Sequence, residues 1–153
     1  MKTLQIVRLN EVNFPDLIAF EQVLRTEEDF WNWKIGTEYQ KAVLASFKDP
    51  AFADSFSFLA YDEGVVVGRL DGSLLCSHFD GKKKAYLDWI CVRKTYRHQG
   101  VAQALLRQYI RELHLKGIEQ LIAIIAHNEE ALRFYHSIEN AKIGDQALWL
   151  EIK

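Results

Sequence analysis

The residues best suited to chemistry in this 153-residue chain form a short basic loop around Gly100. An alternating apolar run, Tyr86 to Val92, leads into the loop, and a helical pattern begins directly after Gly100. Backbone N–H groups at the start of a helix have no intrahelical acceptor, so such a corner can bind an anion. Glycine also lets the backbone approach a ligand closely. Four basic residues surround the corner and predict a phosphorylated ligand: Arg93, Lys94, Arg97 and His98.

A second motif follows about thirty residues later. Residues 121–126 form an apolar run typical of a strand, and the segment from Asn128 to Tyr135 predicts a helix. Asn128 can cap this helix or offer its side-chain amide to a ligand, and the two roles are compatible. Both motifs therefore follow strand ends, where open α/β sheets commonly bind ligands.

Together the two motifs resemble the GNAT superfamily of acyl-CoA-dependent N-acetyltransferases. Arg97-x-x-Gly100-x-Ala102 matches the superfamily's acetyl-CoA pyrophosphate loop, Gln/Arg-x-x-Gly-x-Gly/Ala, and Asn128 and Tyr135 match its second motif. The resemblance implies an α/β fold with a mixed, largely antiparallel central sheet and helices on both faces. It also implies that two strands splay apart and that the pantetheine arm of the coenzyme lies between them.

The resemblance further implies which residues bind acetyl-CoA, the expected co-substrate. The end of the first splayed strand would contact pantetheine, the loop would bind the pyrophosphate, and the second motif would complete the site. No metal is implied. The expected coenzyme-binding residues are Ile90, Cys91, Val92, Arg97, His98, Gln99, Gly100, Val101, Ala102, Asn128 and Tyr135.

The implied reaction is direct attack of a primary amine on the acetyl thioester within a ternary complex. Proximity and desolvation can supply much of the catalysis. An alkyl amine with a pKa of about 10.4 is nearly all protonated at pH 7, and exposing its lone pair costs roughly 4.6 kcal/mol. A proton acceptor is therefore needed, and a phenol could assist the departing thiolate. The resemblance assigns this second role to Tyr135, with packing in the core as the alternative.

The sequence leaves the identity of the base open. Asp88 is a carboxylate in an otherwise apolar strand-like run, which is costly unless the charge is paired or used. Members of the resembled family often carry an acidic residue near this position, acting directly or through water. Asp88 could therefore be catalytic, bind the acceptor, or pair with Arg69 or a loop arginine. Tyr86 and His127 are weaker candidates for the base.

The segment Glu27 to Trp33 combines carboxylates with aromatic residues between the first two predicted helices. In the resembled family this region commonly forms one wall of the acceptor site. Carboxylates and tryptophans would suit a cationic amine through charge and cation–π contact. Glu28, Trp31 and Asp88 are the predicted acceptor contacts, and the acceptor is predicted as a small-molecule or peptide amine. The alternative is a solvated acidic turn whose tryptophans pack in the core.

Composition narrows the class of protein. An apolar content of 49% can build one sizeable core, and the length favours a single domain over residues 1–153. No apolar run reaches the roughly 18 residues of a membrane span, and the first ten residues lack the apolar core of a signal peptide, so a cytoplasmic protein is predicted. A net charge of -2 argues against nucleic-acid binding. Cys76 and Cys91 are expected to be buried thiols.

The apolar periodicity and turn residues predict an alternation of helices and strands. A short last strand could leave an open sheet edge, which would allow a homodimer. The predicted elements are strand 4–9, helix 13–25, helix 38–47 capped by Thr37, strands 55–61, 65–77 and 84–92, helix 99–116, strand 120–126, helix 129–138, and a closing strand near Ala147 to Ile152.

Two other functions are compatible with parts of this sequence. A non-catalytic acyl-CoA sensor or regulatory module would keep the loop without needing a base. A cysteine-dependent acyltransferase would use Cys91 or Cys76, but neither has an adjacent histidine or a helix N-terminus to lower the thiol pKa. The first of these is the main alternative.

Overall fold

A computed structural model describes residues 4–29 and 34–152 of the chain. Two single-turn 3-10 helices, Pro50–Phe52 and Lys94–Tyr96, precede the second strand and the third α-helix. The main elements are β1 (Gln5–Arg8), α1 (Phe14–Glu27), α2 (Thr37–Ser46), β2 (Ser55–Asp62), β3 (Val65–Cys76), β4 (Lys83–Val92), α3 (Val101–Leu115), β5 (Leu121–Ala123) and α4 (Glu129–His136).

Five strands form one sheet in the order β1-β2-β3-β4-β5, and each pair from β1 to β4 is antiparallel. The hairpin turns on either side of β3 each contain a glycine with positive φ, Gly64 at 81° and Gly81 at 66°. Such turns favour glycine because other residues are strained there. The predicted mixed and largely antiparallel sheet is confirmed.

Helices pack on both faces of this sheet, as predicted. On one face, Gly68 of β3 makes room for α3, because a Cβ there would lie only 2.8 Å from Val101. On the other face, α1 buries Leu17 and Phe20 in a cluster that includes Leu59 of β2 and Cys91 of β4. The sheet is therefore the middle layer between two apolar layers.

Strand β4 carries a β-bulge at Asp88. Asp71 of β3 pairs with Trp89, whereas the next residue, Gly72, pairs with Leu87, so Asp88 has no partner across the strands. A bulge shifts the alternation of side chains by one residue and often re-aims a side chain near a functional site. The sequence pattern gave no sign of this shift.

The described chain divides into two compact units, with the boundary between Ile122 and Ala123. The first unit contains the sheet up to the start of β5 and the helices α1 to α3, and the second contains α4. The single domain over 1–153 and the splayed strand pair therefore stay predictions. No described helix combines the length and apolar character required to cross a membrane.

The structure corrects several predicted elements. The strand predicted over 120–126 covers only Leu121–Ala123, and the closing strand predicted near Ala147 to Ile152 is wrong, since these residues form no strand. Strand propensity depends on a partner strand and on burial, and here Leu148 is 86% exposed. Thr37 is the first helical residue of α2 and makes no cap bond. Cys76 is exposed at the end of β3, whereas Cys91 is buried as predicted.

Candidate active site

The loop after β4 ends in a helix N-terminus that no side chain caps. Gly100 precedes α3 in a left-handed conformation with a φ of 82°. The hydrogen bond from the Ala104 N–H to the Gly100 carbonyl, 2.9 Å long, opens the helical ladder, so the N–H groups of residues 100–103 precede it. A Cβ on Gly100 would meet no protein atom within 4 Å. Gly100 is therefore needed for its backbone conformation, and the space beside it is open.

His98 is a second left-handed residue in this loop, with a φ of 59°. A non-glycine residue in this conformation costs about 1–2 kcal/mol, and such strain is often found at functional sites. The side-chain amide of the next residue, Gln99, donates to the Thr95 carbonyl at 2.8 Å. Gln99 therefore ties the loop to itself instead of reaching outward.

Arg97 is held in place by the end of α1. Its guanidinium donates two hydrogen bonds to the Glu28 carboxylate, at 2.7 and 2.6 Å, and its Nε donates to the Val92 carbonyl at 3.2 Å. This bidentate arrangement is among the strongest hydrogen-bond geometries between charged side chains. The Glu28 side chain is only 8% exposed. The pair therefore fixes the loop against α1.

Arg93 makes a parallel contact one residue earlier on α1. Its guanidinium donates to Glu27 at 2.9 and 3.1 Å and lies 5.6 Å from the Tyr96 ring centroid. The other oxygen of Glu27 accepts the Lys94 N–H at 3.2 Å. Two glutamates thus offset the charge of two loop arginines. The oriented N–H groups at the uncapped start of α3 have the geometry that binds an anion.

These contacts change the interpretation of Glu28, which was predicted to lie either in the acceptor site or in a solvated turn. Glu28, predicted to bind the acceptor, pairs with Arg97 of the Gly100 loop and does not line the cleft described below. It is also not part of a solvated turn, since its carboxylate is buried. Trp31 and Trp33 lie outside the described residues. The predicted contact of Trp31 with the acceptor therefore stays a prediction.

A cleft of about 800 Å³ opens between α2, the Pro50–Phe52 turn and the strands β2 to β4. Apolar side chains line part of it, including Val43, Phe47 and Phe52. The sheet forms a polar floor, which is unusual for a covered sheet face and suits a polar ligand. The floor residues are Ser55, Ser57, Arg69, Asp71, Ser73 and Asp88.

A network of ionic hydrogen bonds holds the charged side chains of this floor. The Arg69 guanidinium donates to Glu21 of α1 at 2.6 Å and to the Tyr39 hydroxyl of α2 at 2.9 Å. The Asp71 carboxylate accepts the Ser57 hydroxyl at 2.6 Å and pairs with Arg69. Because Glu21 and Asp71 offset the charge of Arg69, the floor does not repel a cation.

Asp88 lies exposed in the cleft, and the bulge leaves it without a partner on β3. The predicted alternative, an ion pair with Arg69 or a loop arginine, is wrong, because these arginines bind Glu21, Asp71, Glu27 and Glu28. The Asp88 carboxylate accepts a hydrogen bond from the Tyr86 hydroxyl. Burial and this neighbouring carboxylate raise the pKa of Tyr86 above its usual value of 10.0. Tyr86 therefore stays protonated at neutral pH and acts as a donor, not as a base.

The residues of the β4 end lie next to the loop. Ile90 is half-buried, and Cys91 and Val92 are buried. The Cys91 thiol accepts a hydrogen bond from the Trp89 indole N–H at 3.1 Å, and burial raises the thiol pKa well above its usual value. Cys91 is thus a poor nucleophile. Val101 is buried over Gly68, and Ala102 is half-buried beside it.

The second predicted motif lies in the second unit of the chain. Asn128 caps α4, because its side-chain oxygen accepts the Ala131 N–H at 2.9 Å. The ring of Tyr135 is 9% exposed and meets the edge of the Phe134 ring at a centroid distance of 5.2 Å. His127 is exposed. Contacts of Asn128 and Tyr135 with the coenzyme stay predictions.

Of the charged residues beneath the cleft, only Arg69 is singled out by the sequence, as a possible partner for Asp88. Arg69 and Asp71 are two apart in an otherwise apolar strand, so alternation places them on the same face. That pattern could have indicated an internal ion pair. Tyr39 offered no such signal. In residues 4–29 and 34–152, no group of three or more His, Cys, Asp or Glu side chains could hold a metal ion.

Comparison with known proteins identifies the architecture. The acetyltransferase (GNAT) family matches residues 17–138, whereas no curated protein matches the sequence significantly. The aminoglycoside acetyltransferase meta-AAC0020, from an uncultured soil metagenomic sample and in complex with sisomicin, superposes with a TM-score of 0.81. It is 21% identical, and the match covers 98% of this chain and 97% of that chain.

Two further solved structures share the fold over 99% of both chains. AAC(6')-Iy in complex with the bisubstrate analog CoA-S-monomethyl-acetylneamine has a TM-score of 0.76 at 17% identity. The ribosomal-protein-alanine N-acetyltransferase from Brucella melitensis biovar Abortus 2308 has a TM-score of 0.73 at 14% identity. These identities are low, but the family match spans most of the sequence and includes the Gly100 loop. The chain therefore belongs to the GNAT acetyltransferase family.

Proposed function

We propose that this protein transfers the acetyl group of acetyl-CoA to a primary amine of a cationic small molecule, by direct attack in a ternary complex. The observation that carries the proposal is the uncapped N-terminus of α3 at the motif Arg97-x-x-Gly100-x-Ala102. The same strand that leads into this loop presents Asp88 in the adjoining cleft. One element would thus position both the coenzyme site and the proton acceptor.

The loop would bind the coenzyme mainly through its backbone. The N–H groups of residues 100–103 point from the positive end of the α3 dipole, which favours a pyrophosphate. The open space beside Gly100 fits this use, since no protein atom lies within 4 Å of a Cβ built there. Glu27 and Glu28 would hold the loop arginines so that the loop keeps its shape. Bound acetyl-CoA would supply a thioester whose sulfur departs as a thiolate.

Asp88 would accept the proton that the ammonium group must lose before its nitrogen attacks. The Tyr86 hydroxyl would hold the Asp88 carboxylate by donating to it. As the new C–N bond forms and the C–S bond breaks, Tyr135 would donate a hydrogen bond or proton to the departing sulfur, as the family resemblance implies. The reaction needs no covalent enzyme intermediate.

The cleft favours an acceptor with more than one positive charge. Neither Asp49 nor Asp88 forms an ion pair with a described residue, whereas Lys48 pairs with Glu11 and Arg69 pairs with Asp71. Unpaired carboxylates beside serine hydroxyls suit a molecule that carries several amines and hydroxyls. Aminoglycosides have this chemistry, and the similar meta-AAC0020 structure is a complex with sisomicin. The charges of this cleft and the sisomicin complex of a structural relative thus support the same acceptor class.

A thiol-release screen tests the proposal. Acetyl-CoA is mixed with the protein and with polyamines, aminoglycosides, amino acids or peptides with free N-termini, and free thiol is measured. We expect the fastest release with acceptors that carry at least two positive charges. Tight acetyl-CoA binding by calorimetry without thiol release on any amine would instead identify a non-catalytic acyl-CoA-binding module. Such a result would overturn the proposed activity.

An Asp49→Asn variant is expected to raise the KM for a polycationic acceptor several-fold and to leave kcat unchanged. Partly exposed charge pairs contribute only about 0.2–1 kcal/mol, and the effect should shrink with salt. Asparagine keeps the oxygen that accepts the Ala51 N–H at 2.9 Å, so the local turn should survive. The matched control is Asp54→Asn, because Asp54 is exposed and does not line the cleft. Equal KM values in both variants at low salt would contradict this prediction.

A Tyr135→Phe variant is expected to slow the chemical step by up to about 100-fold, the lower range for general acid catalysis. Phenylalanine keeps the ring contact with Phe134, so coenzyme affinity should change little. Single-turnover kinetics and calorimetry separate the two effects. A fall in affinity as large as the fall in rate, or no fall in rate, would assign Tyr135 to binding or packing.

A further inference from the structure

We infer that Tyr109 is a positioning residue whose hydroxyl holds the β-bulge from which Asp88 projects into the acceptor cleft. The inference rests on the proposed function, because it assigns a catalytic purpose to the position of Asp88. Tyr109 itself belongs to α3, which packs on the opposite face of the sheet from the cleft. It would therefore touch neither substrate.

The Tyr109 hydroxyl reaches the backbone right beside the bulge. It donates to the Tyr86 carbonyl at 3.0 Å and lies 3.4 Å from the Ser73 carbonyl. Ser73 and Tyr86 are partners across β3 and β4, and the next pair, Gly72 with Leu87, forms one side of the bulge. One hydroxyl thus ties together both strands at the point where their register shifts.

The surroundings of Tyr109 are built to admit this hydroxyl. A Cβ on Gly72 would overlap the Tyr109 hydroxyl and lie 2.7 Å from the Tyr86 carbonyl, so no larger residue fits there without a shift. The ring packs against Phe56 and Phe58, with centroid distances of 6.0 and 6.5 Å. Burial raises the pKa of Tyr109 to about 12, so the hydroxyl remains a donor.

The bulge lets Asp88 and Trp89 face the cleft together. Both line it, although neighbouring residues of a regular strand point to opposite faces. Asp88 has no partner on β3, so the flanking residues Leu87 and Trp89 fix its backbone. A slip of one residue in the register would turn Asp88 toward α3 and away from the acceptor. Holding the bulge therefore holds Asp88 in the cleft.

The test is a Tyr109→Phe variant, which keeps the ring and removes the hydroxyl. We expect kcat with the best acceptor of the thiol-release screen to fall about tenfold, since small misplacements of a reacting group can cost up to 10²-fold. The KM for acetyl-CoA should not change. Tyr61→Phe is the matched control, because it also removes a hydroxyl that donates a hydrogen bond, here to Asp16 at 2.8 Å, far along the chain from the bulge.

A double-mutant cycle with Asp88→Asn separates positioning from packing. If Tyr109 acts through Asp88, adding Tyr109→Phe to Asp88→Asn should lower kcat no further. A full tenfold additional loss would overturn the inference. Thermal unfolding of each variant gives the folded fraction, by which kcat is normalised. A Gly72→Ala variant disturbs the same contact from β3. It should lower kcat in the wild type and should lower it no further in Asp88→Asn.

Hydrogen exchange gives a readout that does not depend on activity. The amides of residues 86–89 should exchange faster in Tyr109→Phe than in the wild type or in Tyr61→Phe. Unchanged exchange would overturn the inference even if the enzyme is an acetyltransferase. Faster exchange in a protein that releases no thiol on any amine would support the role of Tyr109 in holding the bulge and overturn the proposed function instead.

Discussion

Replacing Gly100 with valine is expected to weaken acetyl-CoA binding by at least about 100-fold. The valine side chain would enter the open space beside Gly100, where a pyrophosphate bound to the N–H groups of residues 100–103 is proposed to lie. Hydrogen bonds to charged groups contribute about 1.5–3 kcal/mol each, so losing two of them costs about 3 kcal/mol or more. At about 1.4 kcal/mol for each factor of ten, this gives the expected loss. Calorimetry with acetyl-CoA measures it.

The chain provides a closely matched control for this variant. Gly64 has a φ of 81°, and a Cβ there would also meet nothing within 4 Å. Gly64→Val therefore introduces the same backbone strain as Gly100→Val, about 1–2 kcal/mol, in a hairpin turn far along the chain from the loop. Both variants should lose similar thermal stability, and only Gly100→Val should lose coenzyme affinity. Wild-type affinity in folded Gly100→Val would refute backbone binding of the pyrophosphate.

Changing Asp88 to asparagine is expected to lower kcat by about 100-fold or more at pH 7, because general base catalysis contributes about 10²–10⁴. Asparagine has nearly the same size, and its oxygen can still accept from the Tyr86 hydroxyl. The defect should shrink as the pH rises toward the acceptor's pKa of about 10.4, because more of the amine is then already neutral. Initial rates from pH 7 to 9 measure this change.

The Asp49→Asn variant is the control for this second experiment. Asp49 and Asp88 line the same cleft, but only Asp88 is expected to affect kcat, whereas Asp49 should affect the KM of the acceptor. A loss of the same kind in both variants would mean that Asp88 only attracts the acceptor. An unchanged kcat in Asp88→Asn would leave another group or a water molecule as the base.

Much of the fold could be predicted because it depends on local signals. The turn glycines, the early proline of α1 and the apolar periodicity gave the order of elements from β1 to α4, with ends within a few residues of those observed for most elements. The prediction of a closing strand was wrong. Apolar residues such as Leu148 and Trp149 have a propensity for strands, but that propensity does not reveal whether a partner strand is present.

The candidate site was harder to predict because its side chains bind partners that are far away in the sequence. Glu28 binds Arg97 across a separation of 69 residues, and no residue near Glu28 in the sequence indicates that Arg97 is its partner. Asp88 is the extra residue of a bulge opposite Asp71 and Gly72 of β3, and nothing next to Asp88 in the sequence indicates that bulge. The Gly100 loop, by contrast, was recognisable because its conformation is set by consecutive residues.

In the proposed reaction, strand β4 would separate the chemistry from the choice of acceptor. It lies between β3 and β5 in the sheet, and at about 3.3 Å per residue the four steps from Asp88 to Val92 span about 13 Å. This length would set the distance between the proposed proton acceptor and the proposed phosphate-binding loop. The cleft walls come from α2 and the Pro50–Phe52 turn, which are not part of β4. Insertions or substitutions in those walls would then change the acceptor while the spacing along β4 stays constant.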